Sequence, residues 1–320
     1  MLIKTLPGWG LSERAVTPES QYVDRRQLAK GLAAGSLLAA TPLGNLAAAE
    51  EPPTADLYPA PRKEALSVEF SVTKKSITGT HNNFYEFGSH KNIWQAAQDL
   101  SITPWNVTID GLVEKKIHIE AEDLIRRMPL EERITRHRCV EAWAMTIPWT
   151  GFPLARLVEF ARPLASAKFL VMQTFFDSEV GRNQRQRYFP WPYTEALTLA
   201  EATNELALIV TGAYGAPMAK QYGSPLRLAV PWKYGFKHIK SIVRFMFAEN
   251  RPKTFWEEIG PTEYGFWANV NPEFSHPRWS QASERELGTG DRVATKLYNG
   301  YGEFVAHLYA DLPQDRRLFM

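Results

Sequence analysis

A single cysteine lies among residue types that could make its sulfur chemically useful. Cys139 is the only cysteine in 320 residues; it follows Arg136, His137 and Arg138, and it precedes Glu141. Positive charge beside a thiol favours the thiolate, which is the form that attacks electrophiles and binds soft metals. A buried, unreactive cysteine is the ordinary alternative, but the flanking charge argues against it. The residues alone therefore leave two interpretations, a nucleophile or a metal ligand.

The stretch around this cysteine is long and mixed in composition. Residues 136–154 read RHRCVEAWAMTIPWTGFPL. This stretch resembles the molybdenum-binding segment of the periplasmic protein-methionine-sulfoxide reductase catalytic subunits, a family of bacterial molybdopterin enzymes with the sulfite-oxidase fold. The resemblance implies a Mo-molybdopterin cofactor, with one molybdenum, one pterin and no nucleotide, in which the Cys139 thiolate binds the metal. Soft sulfur ligands suit a redox metal that takes up and releases an oxo group.

A second stretch carries the same resemblance. Residues 82–88 read NNFYEFG, and the family uses the first Asn and the Tyr-Glu pair of this segment at the cofactor. The resemblance therefore implies cofactor contacts from Asn82, Tyr85 and Glu86. Thr174 matches a family threonine at the cofactor.

Basic residues cluster in a third stretch, where residues 230–240 read VPWKYGFKHIK. Such a cluster is often only a solvated turn, but Arg offers a fork to phosphate oxygens and Lys a point charge. The resemblance favours an anion site, and it implies pterin contacts from Arg227, His238, Ile239 and Lys240. Tyr222 stands where the family has Asn or His, and its backbone remains a candidate contact.

Glu141 is a candidate for proton delivery during catalysis. In an alternating strand, residues 139 and 141 would lie on one face, which would place this carboxylate near the metal. The resemblance implies that the enzyme reduces protein-bound methionine sulfoxide to methionine by oxygen-atom transfer. Sulfoxide formation makes an apolar side chain polar, so its reversal repairs oxidised envelope proteins.

Short strands and few helices are expected to position these residues. The fold class is α+β, a sulfite-oxidase-like molybdopterin-binding fold with mostly mixed β-sheet, peripheral helices and long loops. Alternation and turn signals predict strands at 105–109, 117–119, 133–138, 169–174, 205–210, 226–232 and 241–247, and helices at 120–128 and 153–161. The Arg-rich residues 177–191 are predicted to form an exposed loop, and a border of the substrate entrance is one interpretation of it.

The N-terminal residues have the order of an export signal. Residues 22–30 read YVDRRQLAK, an uncharged run follows from Gly31 to Leu46, and three alanines come after it. The run is too short and too rich in Gly and Ala for a membrane span. We expect a cleaved twin-arginine signal over 1–49, an extended segment over 50–80, and a single molybdopterin-binding domain over 81–320, located in the periplasm.

Charge and motif content restrict the partners. The formal net charge is +2, which lacks the strongly basic balance typical of nucleic-acid binding. No C-x-x-C-H motif for haem attachment is possible with one cysteine, so electrons must come from another protein. The resemblance implies a heterodimer with a haem-containing integral membrane subunit fed by quinol, and oxidised periplasmic proteins as substrates.

Other functions remain open at this stage. A sulfite oxidase-like enzyme, or one acting on small S- or N-oxides, could use the same fold, although sulfite oxidases carry a different sequence after the cysteine. The 39 aromatic residues also suit an exported binding protein without a cofactor. A cysteine hydrolase is a third alternative, but no His-containing partner motif stands out.

Overall fold

Strands dominate the computed structural model, which describes residues 52–68 and 71–320. The predicted signal at 1–49 lies outside these ranges. The strands are β1 Asn106–Gly111, β2 Ile117–Glu120, β3 Glu131–Cys139, β4 Trp143–Pro153, β5 Phe169–Thr174, β6 Thr194–Thr198, β7 Leu208–Ala213, β8 Ala216–Pro217, β9 Arg227–Ala229, β10 Ile242–Ala248, β11 Ser283–Glu286 and β12 Arg292–Ala294. Over the described ranges, no helix combines the length and apolar character that crossing a membrane requires.

The helices are short and lie between the strands. They are α1 Lys75–Thr78, α2 Ala121–Arg126, α3 Leu154–Ala161, α4 Leu199–Ala202, α5 Phe255–Ile259 and α6 Gly302–Val305. Helix α3 buries Leu154, Leu157, Val158 and Ala161, and this spacing makes one apolar face. Mixed sheets with short helices confirm the predicted α+β class.

Two sheets form the framework. The first has the strand order β2-β1-β10-β5-β6, in which β1 and β10 are parallel and the other pairs are antiparallel. The second has the order β12-β11-β4-β7-β8, with β3 pairing to β4 and β9 pairing to β7. Strand β4 therefore has β3, β11 and β7 as neighbours, and it ties the chain around Cys139 to the C-terminal hairpin β11–β12.

Strand β4 is buried along almost its whole length. The side chains of Ile147, Trp149 and Phe152 are all inaccessible or nearly so, and they point to both faces of the strand. Gly151 permits close pairing with β7, because a Cβ atom there would lie 2.1 Å from the carbonyl oxygen of Ile209. The central strand of this sheet thus has no solvent-facing side.

The segment 52–68 lies against the second sheet. The hydroxyl of Tyr58 donates to Thr211 Oγ1 at 2.7 Å, and its ring occupies the space above Gly212, where a Cβ would lie 2.2 Å from a ring carbon. Farther along, the backbone N–H of Lys63 donates to the carbonyl of Glu132 at 2.8 Å. These contacts extend the pairing of β3 and β7 to the N-terminal segment.

Most predicted elements are present, and the differences have local causes. The prediction of a strand at 169–174 is confirmed by β5, and that of a helix at 153–161 by α3. The predicted strand at 205–210 begins later, as β7, because Asn204 closes a turn through its side-chain bond to Leu206 N at 3.0 Å. Five strands, β4, β6, β8, β11 and β12, were not predicted from the sequence.

Candidate active site

Cys139 is the last residue of β3, at a tight hairpin turn. It pairs with Trp143 of β4, which leaves Val140, Glu141 and Ala142 as a three-residue connection. Ala142 adopts φ 59°, as expected for a left-handed residue in a three-residue hairpin loop. Because nine residues of β3 pair with β4, the sheet holds the sulfur at a fixed place.

The hairpin turn opens into a pocket of about 820 Å³, including its mouth. Nine of the eleven predicted site residues line it, namely Asn82, Tyr85, Glu86, Cys139, Glu141, Tyr222, Arg227, Ile239 and Lys240. Thr174 and His238 are buried but do not line it. Segments that are far apart in sequence therefore converge around one thiol.

The thiol of Cys139 has polar neighbours on one side. The side-chain amide of Asn83 donates to Sγ at 3.4 Å, and the backbone N–H of Glu141 does so at 3.5 Å. The thiol itself lies 3.7 Å from Glu141 Oε2. Burial, reinforced by the charge of Glu141, raises the pKa of the Cys139 thiol to about 12.

The preceding charge favours the thiolate as expected, because Arg138 lowers the pKa of Cys139, but burial raises that pKa by more. Arg136 and Arg138 are both buried, and both form ion pairs with Glu284 of β11. Arg138 also donates to the backbone carbonyl of Cys139 and not to its sulfur. Since Arg136 pairs with Glu286 as well, two carboxylates neutralise the charge that the sequence places beside the thiol.

The position of Glu141 also has a different cause from the one predicted. Glu141 lies in the hairpin turn rather than on an alternating strand, and the turn brings its carboxylate to Cys139. Its carboxylate forms an ion pair with Lys91. Burial alone would raise the pKa of Glu141, but the hydrogen bond and charge of Lys91 hold it below its usual value.

A second buried cation, Arg227, lines the pocket with no carboxylate bound to it among the described residues. Arg227 is 2% exposed, and its Nη1 donates to the backbone carbonyl of Tyr222 at 2.8 Å. Its Nε and Nη2 atoms are buried without a partner in the described chain. The guanidinium lies 4.8 Å from the centre of the Trp149 ring. Burial lowers the pKa of Arg227 to about 9.

Lys240 lies beside this arginine. Burial and the charge of Arg227 lower the pKa of Lys240 to about 7. The nearby Glu86 is buried, and its pKa is raised by that burial to about 7. Gly223, at φ 101°, leaves room for the lysine, because a Cβ there would lie 2.4 Å from Lys240 Cβ. The fold thus places the ammonium group of Lys240 where little negative charge compensates it.

The two predicted residues outside the pocket support its wall. The hydroxyl of Thr174 donates to the carbonyl of Ser241 at 3.3 Å and lowers the pKa of Glu86 by hydrogen bonding. His238 Nδ1 lies 3.2 Å from His137 Nδ1, and its Nε2 lies 3.0 Å from the carbonyl of Val230. His137 lines the pocket in its place.

An aromatic wall and the donor Asn83 line the pocket without having been predicted from the sequence. The rings of Tyr85, Trp256 and Tyr264 contact one another in order, at centroid distances of 4.8 and 4.9 Å. Phe236 continues the wall, 5.4 Å from Tyr264. Asn83 directly follows the predicted site residue Asn82, and this position could have indicated it as a site residue. The rings come from separate segments and have no shared sequence pattern.

The pocket lacks an all-protein metal cage. Across residues 52–68 and 71–320, no group of three or more His, Cys, Asp or Glu side chains could hold a metal ion. A metal at Cys139 would therefore take most of its ligands from an organic cofactor. The single thiol and the uncompensated cations are what such a cofactor with an anionic group would require.

Comparisons with known proteins agree with this arrangement. The family model described as oxidoreductase molybdopterin binding domain matches residues 94–256. The protein-methionine-sulfoxide reductase catalytic subunit MsrP of Xanthomonas axonopodis pv. citri (strain 306) is 42% identical over 314 residues, which cover 94% of this chain and 96% of the relative.

One solved structure shows a partial similarity. The crystal structure of the sulfane dehydrogenase SoxCD from Paracoccus pantotrophus has a TM-score of 0.40 and 20% sequence identity, over 47% of this chain and 40% of that chain. The 42% identity to the reductase subunit of Xanthomonas, which extends along nearly the whole chain, is the decisive comparison. By that identity and by its molybdopterin-binding domain, the chain belongs to the family of protein-methionine-sulfoxide reductase catalytic subunits.

Proposed function

We propose that this protein reduces methionine sulfoxide in oxidised periplasmic proteins to methionine, with a Mo-molybdopterin cofactor bound in the pocket beside Cys139. The observation that carries the proposal is the meeting of one buried thiol and two poorly compensated cations in a single pocket. The 42% identity to a protein-methionine-sulfoxide reductase catalytic subunit supports the substrate class.

The cations fit the anionic part of such a cofactor. Two buried nitrogen atoms of Arg227 have no partner in the described chain, and an unpaired buried charge is costly. A phosphate group would accept from this guanidinium and pair with Lys240, through charge-assisted hydrogen bonds. Asn82 offers a buried Oδ1 without a partner, which suits an N–H donor of a pterin ring.

The remaining predicted residues have assigned places in this proposal. Tyr222, Glu86 and Ile239 would form the wall around the pterin, and Tyr85 the boundary with the aromatic side. His238 and Thr174 would act from behind the wall, because they do not line the pocket. Tyr222 contributes a backbone carbonyl that orients Arg227.

Cys139 is the proposed metal ligand. Molybdenum held by a pterin dithiolene and a thiolate supplies two-electron oxygen-atom transfer. The protein keeps the sulfur at the end of β3 and donates to it from Asn83. A neighbouring donor of this kind orients a ligand and tunes its electron density.

Glu141 is the proposed carrier of protons. Conversion of a sulfoxide to a thioether consumes two electrons and two protons and yields water. The Glu141 side chain is 37% exposed, and its carboxylate lies 3.7 Å from Cys139 Sγ. It therefore connects solvent with the site of reaction, and Lys91 fixes its orientation through the ion pair.

Electrons would come from a membrane partner. With one cysteine, the chain cannot attach haem through a C-x-x-C-H motif, and the name of the relative describes a catalytic subunit. We infer a heterodimer with a haem-containing integral membrane subunit, in the periplasm. The order of residues 1–49 supports export by the twin-arginine route.

Metal analysis and one substitution test the proposal. The natively exported protein is expected to contain molybdenum and to reduce oxidised methionine in proteins. Cys139→Ser replaces the soft ligand with a hydroxyl and should abolish that activity while the protein stays folded. A variant as fast as the parent would overturn the assignment. Turnover of sulfite faster than of methionine sulfoxide would favour a sulfite oxidase-like enzyme instead.

A further inference from the structure

The aromatic wall of the pocket continues outward to the protein surface. The Tyr85 ring lies 6.3 Å from Phe189, and Phe189 lies 4.3 Å from Tyr188. Tyr188 is 71% exposed, the highest value among the large hydrophobic side chains of the described residues. We call Tyr85, Phe189 and Tyr188 the aromatic track. It runs from Tyr85, which lines the pocket, to the exposed Tyr188.

The exposed end of the track is held in place by its loop. Asn183 donates from its side chain to the carbonyl of Tyr85 at 2.7 Å, and from its backbone to the carbonyl of Glu86 at 3.0 Å. Phe189 is stacked on Phe255 at 5.6 Å. These contacts hold the loop against the pocket wall. They therefore also fix Tyr188 in its exposed position.

The inner end of the track presents a hydroxyl to the pocket. Tyr85 lines the pocket, and its phenol supplies a hydroxyl that can donate a hydrogen bond at neutral pH. The rings of Trp256 and Tyr264 adjoin it. The hydroxyl could donate to the S–O oxygen of a methionine sulfoxide side chain, and the rings could contact its methyl group.

Resting on the proposed function, we propose that Tyr188 and Phe189 bind the polypeptide segment next to the oxidised methionine, while that methionine enters the pocket along Tyr85. The occupant is a polypeptide rather than a small sulfoxide, because Tyr188 and Phe189 lie outside the lining of the pocket that would hold the oxidised side chain. Tyrosine supplies a large, rigid contact area to many neighbouring side chains. The surface thus suits many substrate sequences.

The test compares two substrates of different reach. The molybdenum-loaded enzyme, reduced by a viologen dye so that no protein donor is needed, is assayed with an unfolded peptide containing one methionine sulfoxide and with N-acetyl-methionine sulfoxide. For Tyr188→Ala we expect KM to rise about three- to tenfold for the peptide, with kcat unchanged. Both constants for the small substrate should stay as in the parent.

Two further variants serve as controls. Tyr188→Phe keeps the ring and should restore the peptide KM. Phe176→Ala removes another exposed ring, 62% exposed, which has no ring contact with the track in the described chain, and should leave both substrates unaffected.

Three results would overturn the proposal: an unchanged peptide KM in Tyr188→Ala, equal losses on both substrates, or an equal loss in Phe176→Ala. A parent enzyme that reduces neither substrate would instead refute the proposed function.

Discussion

Two buried cationic groups flank the pocket, and they differ in their compensation. Arg136 and Arg138 both pair with Glu284, which is 2% exposed, and Arg136 also pairs with Glu286. Arg227 is equally buried, yet two of its nitrogen atoms have no partner in the described chain. The compensated group fastens β3 to β11. In the bare group, the contacts of Arg227 with Tyr222 and Trp149 leave these two nitrogen atoms unpaired, which is costly for a buried charge, so we propose that Arg227 binds an anionic ligand.

Breaking the compensated group should cause the largest change in stability. Glu284→Gln leaves two buried guanidinium groups without a shared carboxylate, and we expect it to lower the free energy of unfolding by about 3–5 kcal/mol. Denaturant unfolding of the cofactor-free protein measures this. Glu286→Gln is the control, because Glu286 is more exposed and pairs only with Arg136; a loss of less than about 1 kcal/mol is expected there. Equal losses would contradict the comparison.

Removing the bare group should instead affect cofactor retention. Arg227→Met is expected to weaken cofactor binding by about 10- to 100-fold, the value of charge-assisted hydrogen bonds to phosphate. The unfolding free energy of the cofactor-free protein should not fall, because the substitution removes a buried charge that itself destabilises the fold. Metal analysis and thermal unfolding measure the two effects. Arg244→Met is a control for the loss of an arginine outside the pocket, since Arg244 is 38% exposed and pairs with Asp110. A destabilised Arg227→Met protein with full molybdenum would reverse our interpretation.

The pH dependence of stability provides a third comparison. The pKa of Lys240 falls from 10.5 to about 7 on folding, so between pH 7 and 9 the unfolded chain binds more protons and stability rises with pH. We expect Lys240→Met to flatten this rise by about 1 kcal/mol, discounted for the half-buried side chain. Lys233, with a pKa lowered to about 8, also makes stability rise with pH, both in the parent and in Lys240→Met. Unfolding curves of the two proteins at pH 7, 8 and 9 measure the difference. An equal rise of stability with pH in both proteins would contradict the lowered pKa of Lys240.

The smallest expected effect is stabilisation by a simple anion. Inorganic phosphate at three times its dissociation constant should stabilise the cofactor-free protein by about 0.8 kcal/mol. Arg227→Met should lose this effect, and Glu286→Gln should keep it. Thermal unfolding with phosphate, and with chloride at equal ionic strength, separates binding from screening. Stabilisation by chloride to the same extent would remove the evidence for a phosphate site.

Particular elements show why some predictions succeeded. The helix at 153–161 and the strand at 169–174 have clear apolar periodicity, and both are present. Strand β4 was missed because it is buried along almost its whole length, so its sequence does not alternate. Strands β11 and β12 carry charged residues typical of a solvated hairpin. Only the position of β11 beside Arg136 and Arg138 shows that Glu284 forms ion pairs with both arginines.

The same contrast applies to the candidate site. The sequence singled out Cys139, Arg227 and Lys240 through motifs, and all three line one pocket. It could not reveal that Arg138 turns away from the sulfur, or that a hairpin turn brings Glu141 to it. Nor could it identify the aromatic wall built by residues 85, 236, 256 and 264, whose members come from separate segments.

The sequence by itself determined the family, the α+β class and most of the residues around the pocket, because these follow from residue types in fixed local patterns. The tertiary structure alone decided which charges are compensated. The effect of a buried charge depends on the carboxylates within a few ångströms and on the water excluded around it. Those neighbours, such as Glu284 for Arg138, are more than a hundred residues away in the chain.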